Sequence, residues 1–466
     1  MIHMGRFIGR EKEIHDLIDM INDPKIRSCA IIGRRRIGKT ALIKELIKDM
    51  DAIYIQFIKS SSEVNLLKIA SVMSDYHGKE TYYKNPMEFF KDLSTITKKK
   101  RIVIVFDEYP YMSDKDGAFS SITQDFIDNY IHDSFLILSG SSVKMMESEV
   151  SDYSKPLYGR VRKYYVHEMP YDSMKEFHPN LDDVDSLRLY LTTGGIPYYL
   201  DDTPAESYKD YLTRYVLEDN SIFNTEGTNI INRELKNQDE IISILDAIAY
   251  GRNHIKEISD ITGIERNRCS AHLAILESLN LVSKHNPMAN APRKPTIYYI
   301  KDNMLAFHFH ILRMLTTKSK DPEKIYGNIL PNILTLHGKM FEEFCKSLLI
   351  DNYDVKEIGK WWGTTVTKNE KGTSYESSEI DIVADINVGN NIVQLFVECK
   401  FRNEKCGLST LLELEEHMRA LNTNGRPMII SRSGFTNELL EYAEDHNILL
   451  IGMDEIVGRK GFPELS

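Results

Sequence analysis

The chain lacks the long apolar runs, paired cysteines and low-complexity tracts that mark several classes of protein. No hydrophobic stretch approaches the ~18–20 residues needed to span a bilayer, and Met1-Ile-His-Met-Gly-Arg-Phe7 carries no apolar signal-peptide core. A cytoplasmic protein with no membrane partner is therefore expected. The five cysteines (Cys29, Cys269, Cys345, Cys399, Cys406) include no Cys-x-x-Cys pair and no Cys/His cluster at zinc spacing, which argues against a disulfide framework or structural zinc and for free thiols. Net positive charge is also missing: 58 basic against 69 acidic residues leave −11, so any nucleic-acid site has to be a local patch. With 15 prolines, 25 glycines and 42 % hydrophobic residues, the 466-residue chain has a globular balance and length for about three domains.

What is present in the first half is an alternation. Ser28–Ile32, Ile53–Phe57, Arg101–Phe106 and Phe135–Leu138 are short apolar runs separated by helical periodicity, as at Leu42–Met50 and Met87–Ile96. This predicts an α/β multidomain protein that begins with a parallel sheet wrapped by helices.

Gly33-Arg-Arg-Arg-Ile-Gly38-Lys39-Thr40 fits the phosphate-loop pattern between an apolar strand and a helix. Gly33 and Gly38 let the backbone curl so that N–H groups point at a polyphosphate, Lys39 supplies charge for its β/γ-phosphates, and Thr40 a hydroxyl for Mg²⁺. Arg101-Ile-Val-Ile-Val-Phe106 ends in Asp107 and Glu108, which suit a metal-holding acid and a water-activating base.

Phe7-Ile-Gly-Arg10-Glu11, Asp107-Glu-Tyr-Pro-Tyr111, Leu138-Ser-Gly-Ser-Ser142, Pro156-Leu-Tyr-Gly-Arg160 and Gly194-Gly-Ile-Pro197 together resemble the archaeal/bacterial ATPase family of AAA+/STAND-type P-loop proteins. The resemblance implies an AAA+-like sheet with a helical lid, and ATP and Mg²⁺ as cofactors. It puts Arg10 in the nucleotide-binding set, makes Ser141 or Ser142 a polar sensor near the γ-phosphate and Arg160 a γ-phosphate sensor or finger, and gives Gly194–Pro197 a nucleotide-contacting turn.

Glu240–Tyr250, Ile255–Thr262 and Arg266–Leu279 are spaced as three helices, followed by strands Leu281–Lys284 and Thr296–Ile300 around a Pro-rich hairpin. This looks like a winged helix-turn-helix. Between Arg252 and Thr296 seven basic residues stand against four acidic ones, the sign that DNA phosphates require. Arg266, Asn267 and Arg268 open the recognition helix, and Arg293 and Lys294 fall in the wing. Packing against protein alone is the other reading of this module.

Further on, Ser378-Glu379-Ile-Asp381 and Leu395-Phe-Val-Glu398-Cys-Lys400 put acids on two neighbouring strands, with Glu398 and Lys400 on one face because strand side chains alternate. Asp381 and Glu398 can share Mg²⁺, and Lys400 can position or deprotonate the attacking water. Glu342 in Gly338-Lys-Met-Phe-Glu342 adds an acid from the preceding helix. The order resembles the PD-(D/E)XK nuclease superfamily, with Ile380 where a proline often stands, and implies a C-terminal α/β restriction-endonuclease-like domain. Trp361-Trp362 are expected after a strand, as core or as wall of a substrate cleft.

The expected domains are an ATPase core at 1–170, a helical lid at 171–235, a winged helix at 236–305, a helical linker at 306–335 and a nuclease-like domain at 336–466. Two functions fit: an ATP-dependent enzyme that binds and cuts DNA, or a nucleotide-dependent DNA-binding switch whose C-terminal fold only recognises. A chaperone-like ATPase acting on proteins stays open without a motif of its own, as does a homo-oligomer or protein partner.

Overall fold

Unbroken apolar runs become strands buried on both faces. The first sheet contains β1 (Ser28–Ile32), β2 (Ala52–Gln56), β3 (Val103–Asp107), β4 (Phe135–Gly140) and β5 (Arg162–Tyr165), all parallel in the order β2-β3-β4-β1-β5. β1, β3 and β4 are buried at every position, as central strands covered by helices must be. One face packs on phenylalanines: Phe90, from helix Pro86–Thr97, lies 6.0 Å from Phe106 and 5.4 Å from both Phe119 and Phe126. β5, absent from the expectation, is an edge strand whose Arg-Lys-Tyr-Tyr sequence is largely exposed and carries no apolar signal.

This computed structural model describes residues 7–200, 203–235, 237–288, 296–315, 319–369, 372–421 and 423–465. The chain forms two units, Met1–Phe177 with Gly195–Asp202, and His178–Gly194 with Thr203–Ser466.

In the second unit, helices Gln238–Ala249, Ile255–Thr262 and Arg266–Ser278 precede an antiparallel pair, β6 (Val282–His285) and β7 (Ile297–Ile300), with Val282 opposite Ile300. Arg293 and Lys294 lie outside the described residues. The long helix Pro322–Asn352 leads into a mixed sheet: β8 (Val355–Asn369), β9 (Gly372–Val388), β10 (Asn391–Lys400), β11 (Arg426–Ser431) and β12 (Leu449–Ile451), in the order β12-β11-β10-β9-β8. The β8-β9-β10 pairings are antiparallel and the β10-β11-β12 pairings parallel, the latter joined through helices Leu408–Ala420 and Asn437–His446. Among the described residues no helix is long and apolar enough to cross a membrane.

Three expectations need correction. The 171–235 segment is divided, with Tyr171–Lys175 and Pro197–Leu200 in the first unit and Asp183–Thr193 and Phe223–Glu234 in the second. The break at 335/336 falls inside the 31-residue helix Pro322–Asn352, because buried Ile325, Ile329, Ile333, Leu336, Met340 and Phe344 continue one helical stripe past Pro331. Trp361 and Trp362 lie within β8, where Trp361 packs with Ile380, Val383, Phe396, Leu414 and Met418.

Candidate nucleotide and metal sites

The Gly33–Thr40 loop joins β1 to helix Lys39–Ile47. Gly38 adopts φ 93°, a left-handed backbone that a side chain would strain, and a Cβ on Gly33 would meet the Val166 carbonyl at 2.6 Å. Lys39 is buried, and its Nζ donates to the carbonyls of Gly33 (2.6 Å) and Arg34 (3.0 Å). Thr40 Oγ1 donates to Asp107 Oδ2 at 2.9 Å, and Tyr54 OH donates to the same oxygen at 2.7 Å. Burial, and after it the Asp107 carboxylate, pushes the Tyr54 phenol well above its usual range, so it stays a donor. Glu108 has φ 56°, unusual for a residue with a side chain, and its Oε2 accepts from Ser141 N (3.0 Å) and Ser141 Oγ (2.9 Å).

Arg35, Arg36, Gly38, Lys39, Thr40, Glu108, Ser141 and Tyr198 surround a pocket of about 540 Å³ at the C-terminal ends of the strands, where open α/β sheets bind ligands. Lys39, Thr40, Glu108 and Ser141 thus line one pocket. Pro197 alone of the Gly194–Pro197 turn lines the pocket. Arg160 does not: it makes two hydrogen bonds to Asp128 (3.1 and 2.9 Å) and binds the Pro156 and Tyr158 carbonyls on the surface. Arg10 lies beneath the loop, where its Nη2 donates to the carbonyls of Ile37 (3.0 Å) and His167 (2.8 Å), a strut that shapes the loop from below. Ser142 accepts from Met145 N and caps helix Val143–Ser151. No motif points to Arg36, which has φ 69° and holds its guanidinium 4.0 Å from the Tyr198 ring.

The second constellation is in the C-terminal sheet. Glu342 from helix Pro322–Asn352 and Glu379 and Asp381 from β9 offer carboxylate oxygens within 4.8 Å of one another. Glu379 and Asp381, two apart on a strand, share a face. Cys399 N donates to Asp381 Oδ2 at 2.9 Å, locking the β9 acid to β10. Glu398 is paired with Lys400 Nζ and stands close enough to Asp381 to feel its charge, while the three acids whose oxygens lie within 4.8 Å of one another are Glu342, Glu379 and Asp381. Burial and then the charge of Asp381 push both Glu342 and Glu398 up to about 7. Burial raises Asp381 as well. Oxygen-rich and short of neutralising charge, this set suits a hard divalent cation. Although burial opposes the Lys400 charge, Glu398 and Asp381 hold its amine above the ordinary value. Lys360, on β8, escaped the sequence reading; it bridges Glu342 Oε2 (2.8 Å) and Glu379.

The exposed starts of helices carry the remaining candidates. Arg266, Asn267 and Arg268 are all exposed, with Arg268 Nε 2.9 Å from Glu240.

Residues 7–203 match the model of an ATPase domain predominantly from Archaea, and residues 307–415 a model of archaeal and bacterial proteins of unknown function. An uncharacterized protein of Methanocaldococcus jannaschii is 27 % identical over 412 residues, spanning 86 % of this chain and 88 % of its own. The solved Walker-type ATPase of Pyrococcus abyssi is 20 % identical, with a TM-score of 0.51 over 66 % of this chain and 96 % of that one. The ORC2 protein of Aeropyrum pernix, solved in ADPNP–ADP complexes, is 13 % identical with a TM-score of 0.42 over 69 % of this chain and 95 % of that one.

Proposed function

We propose that the protein binds and hydrolyses ATP with Mg²⁺ and acts on DNA, cleaving it through a PD-(D/E)XK-like C-terminal domain; the match of residues 7–203 to an archaeal ATPase domain supports the first part. The observation that carries the reading is the gathering of Glu379, Asp381, Glu398 and Lys400 on neighbouring strands with Glu342 from the helix before them, in a chain that also presents a phosphate loop.

In the first unit Lys39 would leave its loop carbonyls for the β/γ-phosphates, while Thr40 and Asp107, already in contact, would hold Mg²⁺. The ion supplies neutralising charge on the phosphates. Glu108, oriented by Ser141, is placed to take a proton from the attacking water. In the second unit Glu342, Glu379 and Asp381 would hold the divalent ion, which supplies Lewis acidity at a phosphodiester. Lys400, held beside Glu398, would position or deprotonate the attacking water and steady charge on the phosphate. The three-helix module with β6 and β7 reads as a winged helix, whose exposed Arg266, Asn267 and Arg268 offer hydrogen-bond donors to DNA.

The test uses the full chain with plasmid and linear duplexes, with and without Mg²⁺ and ATP. Cleavage should require the divalent ion, and Lys400→Ala should lower it ~10²-fold or more while DNA is still bound. No cleavage of duplex, branched or single-stranded DNA in any nucleotide state would leave a nucleotide-dependent DNA-binding switch in its place.

A further inference from the structure

The acid cluster contains a cation of its own. Lys360 is 6 % exposed, and its ammonium lies between Glu342 and Glu379, two of the three carboxylates that face one another. A buried ammonium is retained only where acids compensate its lost hydration. Lys400 serves a different acid, Glu398, so the two lysines are not interchangeable. The Lys360 backbone is fixed from outside the sheet: its carbonyl accepts from Met288 N at 2.9 Å, Pro287 bridges to it, and a Cβ on neighbouring Gly359 would come within 2.7 Å of the Met288 side chain. The side chain therefore starts from a clamped strand and ends among the acids.

We propose that the Lys360 ammonium is a built-in counter-cation that competes with a divalent metal ion for Glu342, Glu379 and Asp381. The proposal rests on the metal-site reading given above. A divalent ion bound to these oxygens would share two ligands with the ammonium, and two positive charges so close repel. Entry of the ion therefore drives the lysine out. The side chain has room to swing, because the pocket of about 190 Å³ that Lys360 lines with Glu342 and Glu379 continues past them to Asn253, Ser283, Tyr299 and Glu343. On that wall Glu343 pairs with Lys346 at 2.6 Å through one carboxylate oxygen and has a second oxygen to offer. Metal affinity is thus set by a balance between two cations for one set of oxygens, and any ligand that draws Lys360 into the pocket strengthens metal binding.

The experiment measures Mn²⁺ binding to the full-length wild type, Lys360→Met and Lys360→Arg by the electron paramagnetic resonance of free Mn²⁺. Lys360→Met should bind about tenfold more tightly or better, the scale of removing one close like-charge repulsion, and Lys360→Arg should stay near wild type. Equal or weaker affinity in a folded Lys360→Met overturns the proposal while the metal site stands. Mn²⁺ binding by none of the three proteins overturns the metal site itself and the competition with it. Since Lys360→Met removes an ion pair and could unfold, the wild type is also acetylated with and without Mn²⁺ and digested for mass spectrometry. Modification of Lys360 should rise severalfold with the metal, and modification that does not change overturns the proposal.

Discussion

Asp107 and Glu108 are neighbours in sequence, yet their surroundings assign them different work. Asp107 is buried and takes hydrogen bonds from Thr40 and Tyr54, an arrangement that keeps it aimed at the phosphate loop. Glu108 turns through a left-handed backbone to reach Ser141 across the gap between β3 and β4, and strain of this kind collects at functional positions. Lys39→Ala should abolish nucleotide binding, since the loop then loses its charge for the β/γ-phosphates. Glu108→Gln should still bind ATP, because an amide oxygen can accept from Ser141, but should lower hydrolysis by ~10²–10⁴-fold. Filter binding of labelled ATP beside phosphate release separates the two steps, and undiminished release from Glu108→Gln would remove it from the base role.

Helix Arg266–Ser278 presents three polar side chains at an exposed start, so its contribution to DNA binding is separable from its contribution to the fold. Reversing the charge of Arg266 and Arg268 should weaken DNA binding and reduce the log–log salt slope by about 0.9 for each phosphate that is no longer neutralised. The exposed Arg268–Glu240 pair is worth only ~0–1 kcal/mol, so thermal stability should hardly change. Fluorescence anisotropy over a salt series decides, and an unaltered slope would make this module a protein-packing element. At this scale the sequence was most readable where burial was two-sided: β1, β3 and β4 are apolar at nearly every position and stand where the runs predict. β5 was invisible because an edge strand needs no hydrophobic side chains. Within the sites, Thr40, Asp107 and Glu108 carried a motif, and Asp381, Glu398 and Lys400 carried a spacing. Glu379 obeys the same two-residue alternation as Asp381 and was equally legible. Lys360 was not, since its partners lie 18 and 19 positions away, and only the pairing of β8 with β9 and the packing of helix Pro322–Asn352 on that sheet bring them together. Arg160 misled because a loop arginine after a short motif says nothing of direction, and the surface carboxylate of Asp128 claims it.

Over the molecule as a whole, buried histidines set a response to acid. His337 is fully buried, its Nε2 lies 3.0 Å from Thr192 Oγ1 and 3.2 Å from Tyr208 OH, and burial lowers its pKa to about 3. A histidine that stays neutral in the fold but is protonated when unfolded gives the unfolded state the extra proton below pH 6.5. Its share of stability is therefore full above pH 6.5 and is lost as pH falls towards 3, at about 1.4 kcal/mol per pH unit. His337→Leu leaves Thr192 and Tyr208 bonded to each other at 2.8 Å, so the fold should persist. Urea midpoints between pH 6.5 and 4 should fall less steeply for this variant than for wild type, and parallel slopes would mean that His337 takes up its proton in the folded state. The Thr192 contact has a further consequence for anyone who wishes to cut the protein into pieces. Helix Asp183–Thr193 is separated in sequence from the rest of its unit by Gly195–Asp202, yet it supplies Thr192 to His337, and its Tyr190 and Leu191 carbonyls accept from Asn303. A fragment beginning at residue 203 would strip these side chains of their cover, whereas one beginning at 178 keeps them covered but carries along the short helix Pro197–Leu200, whose buried Tyr199 and Leu200 belong to the other unit.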